Sequence, residues 1–295
     1  MDFNLTDEQR ALQAMAREFA TRVVRPIAAE YDRKQDPADC VPWDVIEQGS
    51  RLGLRTLALG EKLGGGGADM LTLSIVGEEL GAGDLGVAAT FDQTWKFTPI
   101  IEHWTNDEQR ARFVPEFVRN HRYHLATAMT EPDSGTDHVL PYPVPGAGLQ
   151  TRAERVGGVY RINGTKQFIS NGGTASLYIV YTRTDKSKGG YHGMSTILVP
   201  AGTPGFKVAR IHDKMGRRLL SNCTLIFDNV EVPAANLLGK ENGAEELRLS
   251  RIARGRGGYG ATVLGTGRAA FEEAVREGRW DIVDACRQAM RAGIA

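Results

Sequence analysis

Hydrophobic positions in the first 120 residues recur with the spacing of amphipathic helices. Thr6-Asp7-Glu8-Gln9 has the pattern of a capping box, in which the Thr6 hydroxyl and the Gln9 side chain satisfy each other's backbone amides. The apolar residues that follow are spaced by three or four positions and predict one buried stripe. They are Leu12, Met15, Ala16, Phe19, Ala20, Val23 and Val24. Helical spacing is also found after Pro42, around residues 71–80 and after Thr105.

From Tyr123 to about Leu238 the chain instead consists of short β-rich runs separated by turn residues. The clearest runs are 159–162, 177–181, 195–199 and 224–227. Short strands at this spacing predict a compact barrel or sandwich, and the Asn163-Gly164 pair favours a tight hairpin turn. Helical spacing returns over 245–277 and 281–290. We therefore expect an α+β fold with a helical domain over 1–122, a β domain over 123–238 and a shorter helical domain over 239–295.

Composition and charge narrow the range of partners and locations. The 36 basic and 36 acidic side chains balance, which argues against nucleic acid or an anionic membrane as the main partner. No apolar run approaches the ~18 residues of a membrane span, and the first residues do not have the pattern of a secretory signal. Cys40, Cys223 and Cys286 show no CxxC spacing. They predict free thiols in the cytoplasm, and the scattered histidines argue against a metal site.

One motif matches a nucleotide-binding pattern by letters alone. Residues 255–260, Gly-Arg-Gly-Gly-Tyr-Gly, read as GxGxxG. That fingerprint requires a strand before the glycines and a helix after them. The residues before Gly255 have helical spacing, so we expect no dinucleotide site here.

Two other segments can carry chemistry. Residues 128–137, Ala-Met-Thr-Glu-Pro-Asp-Ser-Gly-Thr-Asp, end a strand and turn while offering hydroxyls and free amides to a ring edge or a phosphate. An ordinary strand-end turn is the alternative. In the second segment, residues 163–173, Phe168 and Ser170 share one face of a predicted strand. Phe168 could lie against a planar ring with Ser170 at its polar rim, or it could be a core aromatic beside a surface serine.

Taken together and in this order, these segments resemble the acyl-CoA dehydrogenase family, and the resemblance extends from Phe3 to about Val275. It includes 61–67 (Glu-Lys-Leu-Gly-Gly-Gly-Gly), 76–81 (Val-Gly-Glu-Glu-Leu-Gly), 214–218 (Lys-Met-Gly-Arg-Arg) and 227–239. The resemblance implies an N-terminal helical domain, a central β-barrel domain that binds flavin, and a C-terminal four-helix bundle, which would be incomplete here.

The resemblance also implies FAD as cofactor and assigns its contacts. These fall on Thr127, Met129, Thr130, Gly135, Thr136, Phe168, Ile169 and Ser170. Thr136 would also touch the CoA part of the substrate. Arg256 matches a helix arginine that contacts CoA, although Ala253 stands where the family often has an acidic residue. A solvated helix charge is the alternative for Arg256.

The implied reaction is α,β-dehydrogenation of an acyl-CoA thioester, with electrons passing to an electron-transfer flavoprotein. A glutamate removes the α-proton as hydride leaves the β-carbon for the flavin. The family's usual glutamate position lies beyond this sequence, and Gly255 occupies its other known position, so no base is assigned. We therefore expect a homo- or hetero-oligomer that is catalytically poor on its own. A non-catalytic subunit of a fuller paralogue and a flavin oxidase or monooxygenase are the alternatives.

Overall fold

The computed structural model describes residues 4–139, 144, 147–188 and 192–292, and for residues 139, 251–257, 286 and 289–292 it describes the backbone alone. Within these residues, six α-helices precede the strands: α1 (Asp7–Phe19), α2 (Arg25–Asp32), α3 (Trp43–Arg51), α4 (Met70–Gly83), α5 (Leu85–Trp104) and α6 (Asp107–Arg119). Thr6 and Gln9 form the predicted capping box at the start of α1. The predicted helical spacing is therefore confirmed in this part of the chain.

The strands follow in one block. They are β1 (His124–Ala128), β2 (Arg152–Val156), β3 (Val159–Ser170), β4 (Ala175–Arg183), β5 (Met194–Pro200), β6 (Phe206–Ile211), β7 (Asn222–Pro233) and β8 (Leu237–Leu238). Two helices, α7 (Ala244–Arg276) and α8 (Trp280–Ala292), follow the strands. None of the helices within the described residues is both long enough and apolar enough to cross a bilayer.

The strands form one open sheet, so the predicted barrel is wrong. Their order is β6-β7-β3-β2-β4-β5-β8, with β1 parallel to β4. Among the described residues, no ladder joins β6 to β8, and β2 meets β4 only at Arg152 and Arg183. Both halves of the sheet contribute side chains to one buried core, which includes Tyr160, Val180 and Leu225. Hydrophobic alternation predicted this covered interior, but it carries no information on whether the edge strands pair.

The predicted hairpin turn at Asn163-Gly164 is also wrong. These residues lie inside β3, where the pairing with β7 shifts register between Ile162 and Gly164. The β2–β3 connection is made instead by Gly157 and Gly158. Gly164 has φ of 150°, and a Cβ atom there would lie 2.5 Å from Thr151 Oγ1. The glycine therefore permits a bulge and a close approach of another segment.

Helix α7 packs directly against α4 through small residues. A Cβ atom on Gly265 would lie 1.9 Å from the Glu78 carbonyl oxygen, and one on Gly81 would lie 2.0 Å from that of Thr262. The Thr266 hydroxyl donates to the Gly81 carbonyl at 2.9 Å. The two backbones therefore lie as close as glycine allows, which fixes one wall of a cavity described below.

Candidate active site

The two segments singled out in the sequence meet at the end of β1. The Thr130 hydroxyl donates to the Gln167 carbonyl at 2.6 Å, and the Gln167 amide donates to the Thr130 carbonyl at 2.9 Å. These bonds hold the chain after β1 against the bulge of β3. Residues 127–130 and 167–170 are thereby brought side by side, although about 40 positions separate them in the chain.

A buried ion pair supports this junction from beneath. Lys166 Nζ lies 2.8 Å from Glu131 Oε1 and donates to the Met129 carbonyl at 2.9 Å. The Glu131 carboxylate also accepts the backbone amides of Gln150 at 2.6 Å and Thr151 at 2.9 Å. Burial opposes ionisation of Glu131, but Lys166 and these hydrogen bonds outweigh it and lower the pKa of Glu131.

The Lys166 member of the pair was not found from the sequence. Burial lowers the pKa of its ammonium group to about 8, and Glu131 opposes this shift by favouring the charged form. Lys166 and Glu131 are 35 residues apart. No local spacing links them, and only the pairing of β3 with the end of β1 brings them together.

The turn after Glu131 is organised by one carboxylate. Asp137 accepts the Ser134 hydroxyl at 3.0 Å and the backbone amides of Gly135 at 2.7 Å and Gly148 at 2.8 Å. Burial raises the pKa of Asp137, but the hydrogen bonds from the amides and the Ser134 hydroxyl lower it by more, so the net shift is downward. The Gly135 amide is therefore used inside the turn, and the expectation that it would be free for a ligand is wrong. Gly135 and Thr136 are both exposed.

Phe168 lies on the surface in an unusual backbone conformation. Its φ is 60°, in the left-handed region, and its side chain is 60% exposed. The β3–β7 register shifts between Lys166 and Ile169, and the Asn222 side chain donates to the Phe168 carbonyl at 3.0 Å. A large apolar residue held in this way costs free energy, and such strain collects at functional sites. The core-aromatic alternative for Phe168 is therefore wrong.

His212 forms the other side of this aromatic surface and was missed in the sequence analysis. Its ring centroid lies 4.8 Å from that of Phe168, and its Nε2 atom is 3.0 Å from the Thr224 hydroxyl. Burial, with Arg210 and Lys214 nearby, lowers the pKa of His212. This shift favours the neutral imidazole, which packs against the phenyl ring. Nothing in the spacing of 44 residues between them could have indicated this.

The remaining assigned residues are placed as follows. Thr127 Oγ1 is buried and has no hydrogen-bond partner among the described residues. Met129 is nearly buried and its carbonyl is held by Lys166. The Ile169 side chain points into the sheet core, so only its backbone can face a ligand. Ser170 is half-buried. The Arg256 side chain lies outside the described residues.

Residues 255–260, which match GxGxxG, lie inside α7, and the residues directly before them are part of the same helix. The expected absence of the strand–turn–helix arrangement is therefore confirmed for residues 255–260.

A cavity of about 290 Å³ lies between α4, α5 and α7. Its lining residues are Met70, Leu73, Asp92, Trp95, Lys96, Pro99, Ile100, His103, Trp104, Ser250 and Gly258. The Asn171 side chain, directly after Ser170, donates to the carbonyls of Thr90 in α5 at 3.0 Å and Leu125 in β1 at 3.2 Å. The end of β3 is thus fastened to the helix that forms one wall of the cavity.

Comparison with known proteins identifies the family. The model of the acyl-CoA dehydrogenase N-terminal domain matches residues 6–121, and that of the middle domain matches residues 126–230. The chain belongs to the acyl-CoA dehydrogenase family. A short-chain specific acyl-CoA dehydrogenase of Clostridium acetobutylicum is 34% identical over 276 residues, which are 93% of this chain and 69% of that protein.

Solved structures show the same fold. Butyryl-CoA dehydrogenase from Megasphaera elsdenii matches with a TM-score of 0.84 and 35% identity, over 94% of this chain and 70% of that one. A chain from a structure titled for the electron transferring flavoprotein of Acidaminococcus fermentans matches with a TM-score of 0.83 and 33% identity, over 94% and 69%. The helical N-terminal domain and the sheet-containing middle domain of the acyl-CoA dehydrogenase fold are thus confirmed.

FAD is the cofactor of this family, and the residues present fit it. Thr127 offers a buried hydroxyl without a protein partner, and Phe168 offers an exposed aromatic face beside Ser170. A flat heteroaromatic ring with a polar edge has the chemistry to satisfy both groups at once. The fit therefore rests on an orphaned polar atom and an otherwise costly exposed ring.

Proposed function

We propose that this chain binds FAD and an acyl-CoA thioester and carries out α,β-dehydrogenation of the acyl group. The observation that carries the proposal is that the Thr130–Gln167 hydrogen bonds join the segment of the strained, exposed Phe168 to the segment of Thr127, whose buried hydroxyl has no partner among the described residues. Membership of the acyl-CoA dehydrogenase family supplies the reaction class. When bound, FAD supplies the acceptor for the hydride that leaves the β-carbon.

The roles of the chain's own residues follow from their placement. Phe168 and His212 would hold one face of the flavin ring, and Thr127, Thr130 and Ser170 would contact its polar edge. We assign Met129, Gly135, Thr136 and the Ile169 backbone to the remaining cofactor contacts. Thr136 and Arg256 are assigned to the CoA moiety, and the exposed position of Thr136 supports this role.

The acyl group is proposed to enter the cavity between α4, α5 and α7. Trp95, Pro99 and Trp104 on α5 give this cavity largely apolar walls, which exclude water from an acyl chain. The relatives include a short-chain enzyme and a butyryl-CoA dehydrogenase, and the cavity volume of about 290 Å³ supports a short acyl group here as well.

Glu245 and Glu246 are not assigned as the proton acceptor. Glu245 is held in a buried ion pair by Arg248, whose Nε lies 2.7 Å from Oε2, and Glu246 pairs with Lys240 at 3.0 Å on the surface. Both carboxylates therefore have structural partners at the start of α7. The base of the reaction remains unassigned.

Electron transfer to an electron-transfer flavoprotein and assembly into a homo- or hetero-oligomer are part of the proposal. The matching chain from the flavoprotein structure of Acidaminococcus fermentans supports the first. A cytoplasmic location is also proposed. Cys40 and Cys223 are buried free thiols, as a reducing compartment favours. The domain boundaries at residues 122 and 238 are retained as part of this proposal.

The test is an anaerobic visible spectrum of the FAD-loaded protein before and after butyryl-CoA. Slow bleaching of the flavin bands by butyryl-CoA is the expected result, because no base is assigned in this chain. 2,2-Dimethylpropanoyl-CoA is the matched control, because it has no α-hydrogen to remove. Binding of both thioesters without bleaching would replace the proposal with a non-catalytic binding subunit. Bleaching followed by fast reoxidation in air would favour an oxidase. A chain that takes up no FAD would contradict the proposal altogether.

A further inference from the structure

The cavity between α4, α5 and α7 contains an ion pair in a largely apolar lining. Asp92 and Lys96, one turn apart on α5, both line it, and the Lys96 ammonium is in contact with Asp92 Oδ2. Their side chains are only 6% and 16% exposed. Removing charges from water is costly, and two apolar side chains would line an acyl cavity at no such cost. Stabilisation of the helix therefore does not explain why a charged pair lies in this lining.

A second cation faces the same aromatic ring as Lys96. Lys96 Nζ is 4.0 Å from the ring centroid of Tyr259, and the Arg217 guanidinium is 5.6 Å from the same centroid. Arg217 has φ of 57°, and its buried Nε has no hydrogen-bond partner among the described residues. The Asp92–Lys96 pair of the cavity lining is thus linked through the Tyr259 ring to a second positive group that has an unsatisfied donor.

An aliphatic chain end gains nothing from this arrangement, whereas an anionic group would neutralise it. We propose that the cavity selects acyl groups that carry a carboxylate at their far end, with Lys96 as the residue that binds it. The substrate class is then the monothioester of CoA with a short dicarboxylic acid. This inference rests on the proposed function, because it assigns the cavity to the acyl group.

Asp92 has a defined part in this arrangement. It holds the Lys96 ammonium within the cavity while the substrate is absent, and it shares that ammonium with the incoming carboxylate. Asp92 is therefore a positioning residue that also weakens binding of the substrate carboxylate by competing for Lys96. Changes at the two positions should consequently shift specificity in opposite directions.

The experiment compares two thioesters of the same chain length, pentanoyl-CoA and glutaryl-CoA, which differ in a terminal carboxylate. Dissociation constants are measured by calorimetry on the FAD-loaded protein after reduction with dithionite, so that no turnover occurs. We expect glutaryl-CoA to bind about tenfold more tightly or better, as one charge-assisted contact allows.

Three variants make the test specific. Lys96→Met alone leaves a buried carboxylate without its partner, which is strongly destabilising, so the decisive variant is D92N/K96M, in which both charges are removed. The dissociation constants of this double variant for pentanoyl-CoA and glutaryl-CoA should be nearly equal. Asp92→Asn alone should increase the preference for glutaryl-CoA. Lys207→Met, on the exposed face of β6, removes one positive charge elsewhere and should leave the ratio unchanged.

The outcomes separate this inference from the proposed function. Equal binding of the two thioesters, or a preference that survives in D92N/K96M, would overturn the inference even if butyryl-CoA bleaches the flavin. A carboxylate preference lost in D92N/K96M would support it even if no thioester bleaches the flavin, in which case the proposed reaction alone fails. Binding of neither thioester would overturn both.

Discussion

The Nζ atom of Lys166 lies 2.8 Å from the Oε1 atom of Glu131, with both side chains buried where the two flavin-site segments meet. Lys166 is in β3 and Glu131 directly follows the chain that leaves β1. The pair therefore fixes the relative position of Thr127 and Phe168, the two residues on which the cofactor assignment depends. Its contribution to folding can be measured separately from its contribution to cofactor binding.

We expect Lys166→Met or Glu131→Gln to destabilise the protein by about 3–5 kcal/mol each, because each leaves an uncompensated buried group. In Glu131→Gln, the new amide would face backbone donors that now bind a carboxylate. The double variant should lose less than the sum of the two, by about 1–3 kcal/mol. Urea unfolding of all four proteins is the measurement. Strict additivity would show that the two side chains do not interact.

Thr127→Val should weaken FAD binding while leaving the apoprotein as stable or more stable. The Thr127 hydroxyl is buried without a protein partner, so its removal saves about 1 kcal/mol of desolvation in the apoprotein and loses one hydrogen bond, of similar size, to the cofactor. Fluorescence titration with FAD should show an affinity reduced by about 2- to 10-fold.

Thr196→Val is the matched control for this change. The Thr196 hydroxyl on β5 is also buried without a partner among the described residues, but β4 separates β5 from β1. It should stabilise the protein to a similar degree and leave FAD affinity unchanged. Equal loss of FAD affinity in both variants would remove the reason for placing Thr127 at the flavin.

Features that depend on residues close together in the sequence could be predicted, whereas features that depend on residues far apart in the sequence could not. The Thr6–Gln9 capping box was predictable because its partners are three residues apart. Asn163-Gly164 also carries a local signal, yet the hairpin turn it favours does not form, because Thr151 lies against Gly164 and the bulge needs that glycine. A distant segment overrode the local preference there.

The candidate site shows the same division. The family resemblance marked Thr127, Phe168 and Ser170, but it gave no sign of His212, which supports the Phe168 ring, or of Lys166. The Asp92–Lys96 pair has helical spacing, so its formation was accessible from the sequence alone. That the pair lines a cavity depends on the packing of α4 and α7 against α5, which no spacing within α5 records.

Phe168→Ala and Phe168→Gly separate strain from cofactor binding. Both remove the exposed ring, so both should lower FAD affinity by a similar factor of about 2- to 10-fold, the range of one aromatic contact. Only glycine relieves the left-handed backbone at φ of 60°. The apoprotein of Phe168→Gly should therefore be about 1 kcal/mol more stable than that of Phe168→Ala.

Trp280→Ala is the control for loss of an exposed aromatic side chain. Trp280 is 57% exposed at the start of α8, and its replacement should leave FAD titrations unchanged. Wild-type FAD affinity in both Phe168 variants would contradict the assignment of this ring to the cofactor, whatever the stability of the two apoproteins.

His124 should make the protein progressively less stable in mild acid. Burial, with Arg55 nearby, lowers the pKa of His124 to about 3 from an ordinary value of 6.5. Between these values the unfolded chain takes up a proton that the folded protein excludes, so stability falls as the pH drops below 6.5, by at most about 1.4 kcal/mol per unit from this group. Urea unfolding of wild type and His124→Phe between pH 4.5 and 7 should show the shallower slope in the variant. Parallel slopes would assign the acid sensitivity to other groups.

Two glycines on one helix test how α7 is attached. A Cβ atom on Gly265 would overlap the Glu78 carbonyl oxygen at 1.9 Å, whereas one on Gly267 would meet nothing within 4 Å. Gly265→Ala should therefore cost about 1–3 kcal/mol or more, because two backbones must separate. Gly267→Ala should stabilise the protein by up to about 1 kcal/mol through helix propensity.

Since α7 also supplies Ser250 and Gly258 to the cavity, only Gly265→Ala should weaken acyl-CoA binding. Opposite shifts of the urea midpoints are expected. Equal stability of the two variants would mean that α7 does not pack on α4 in solution, and the cavity would then lose its third wall.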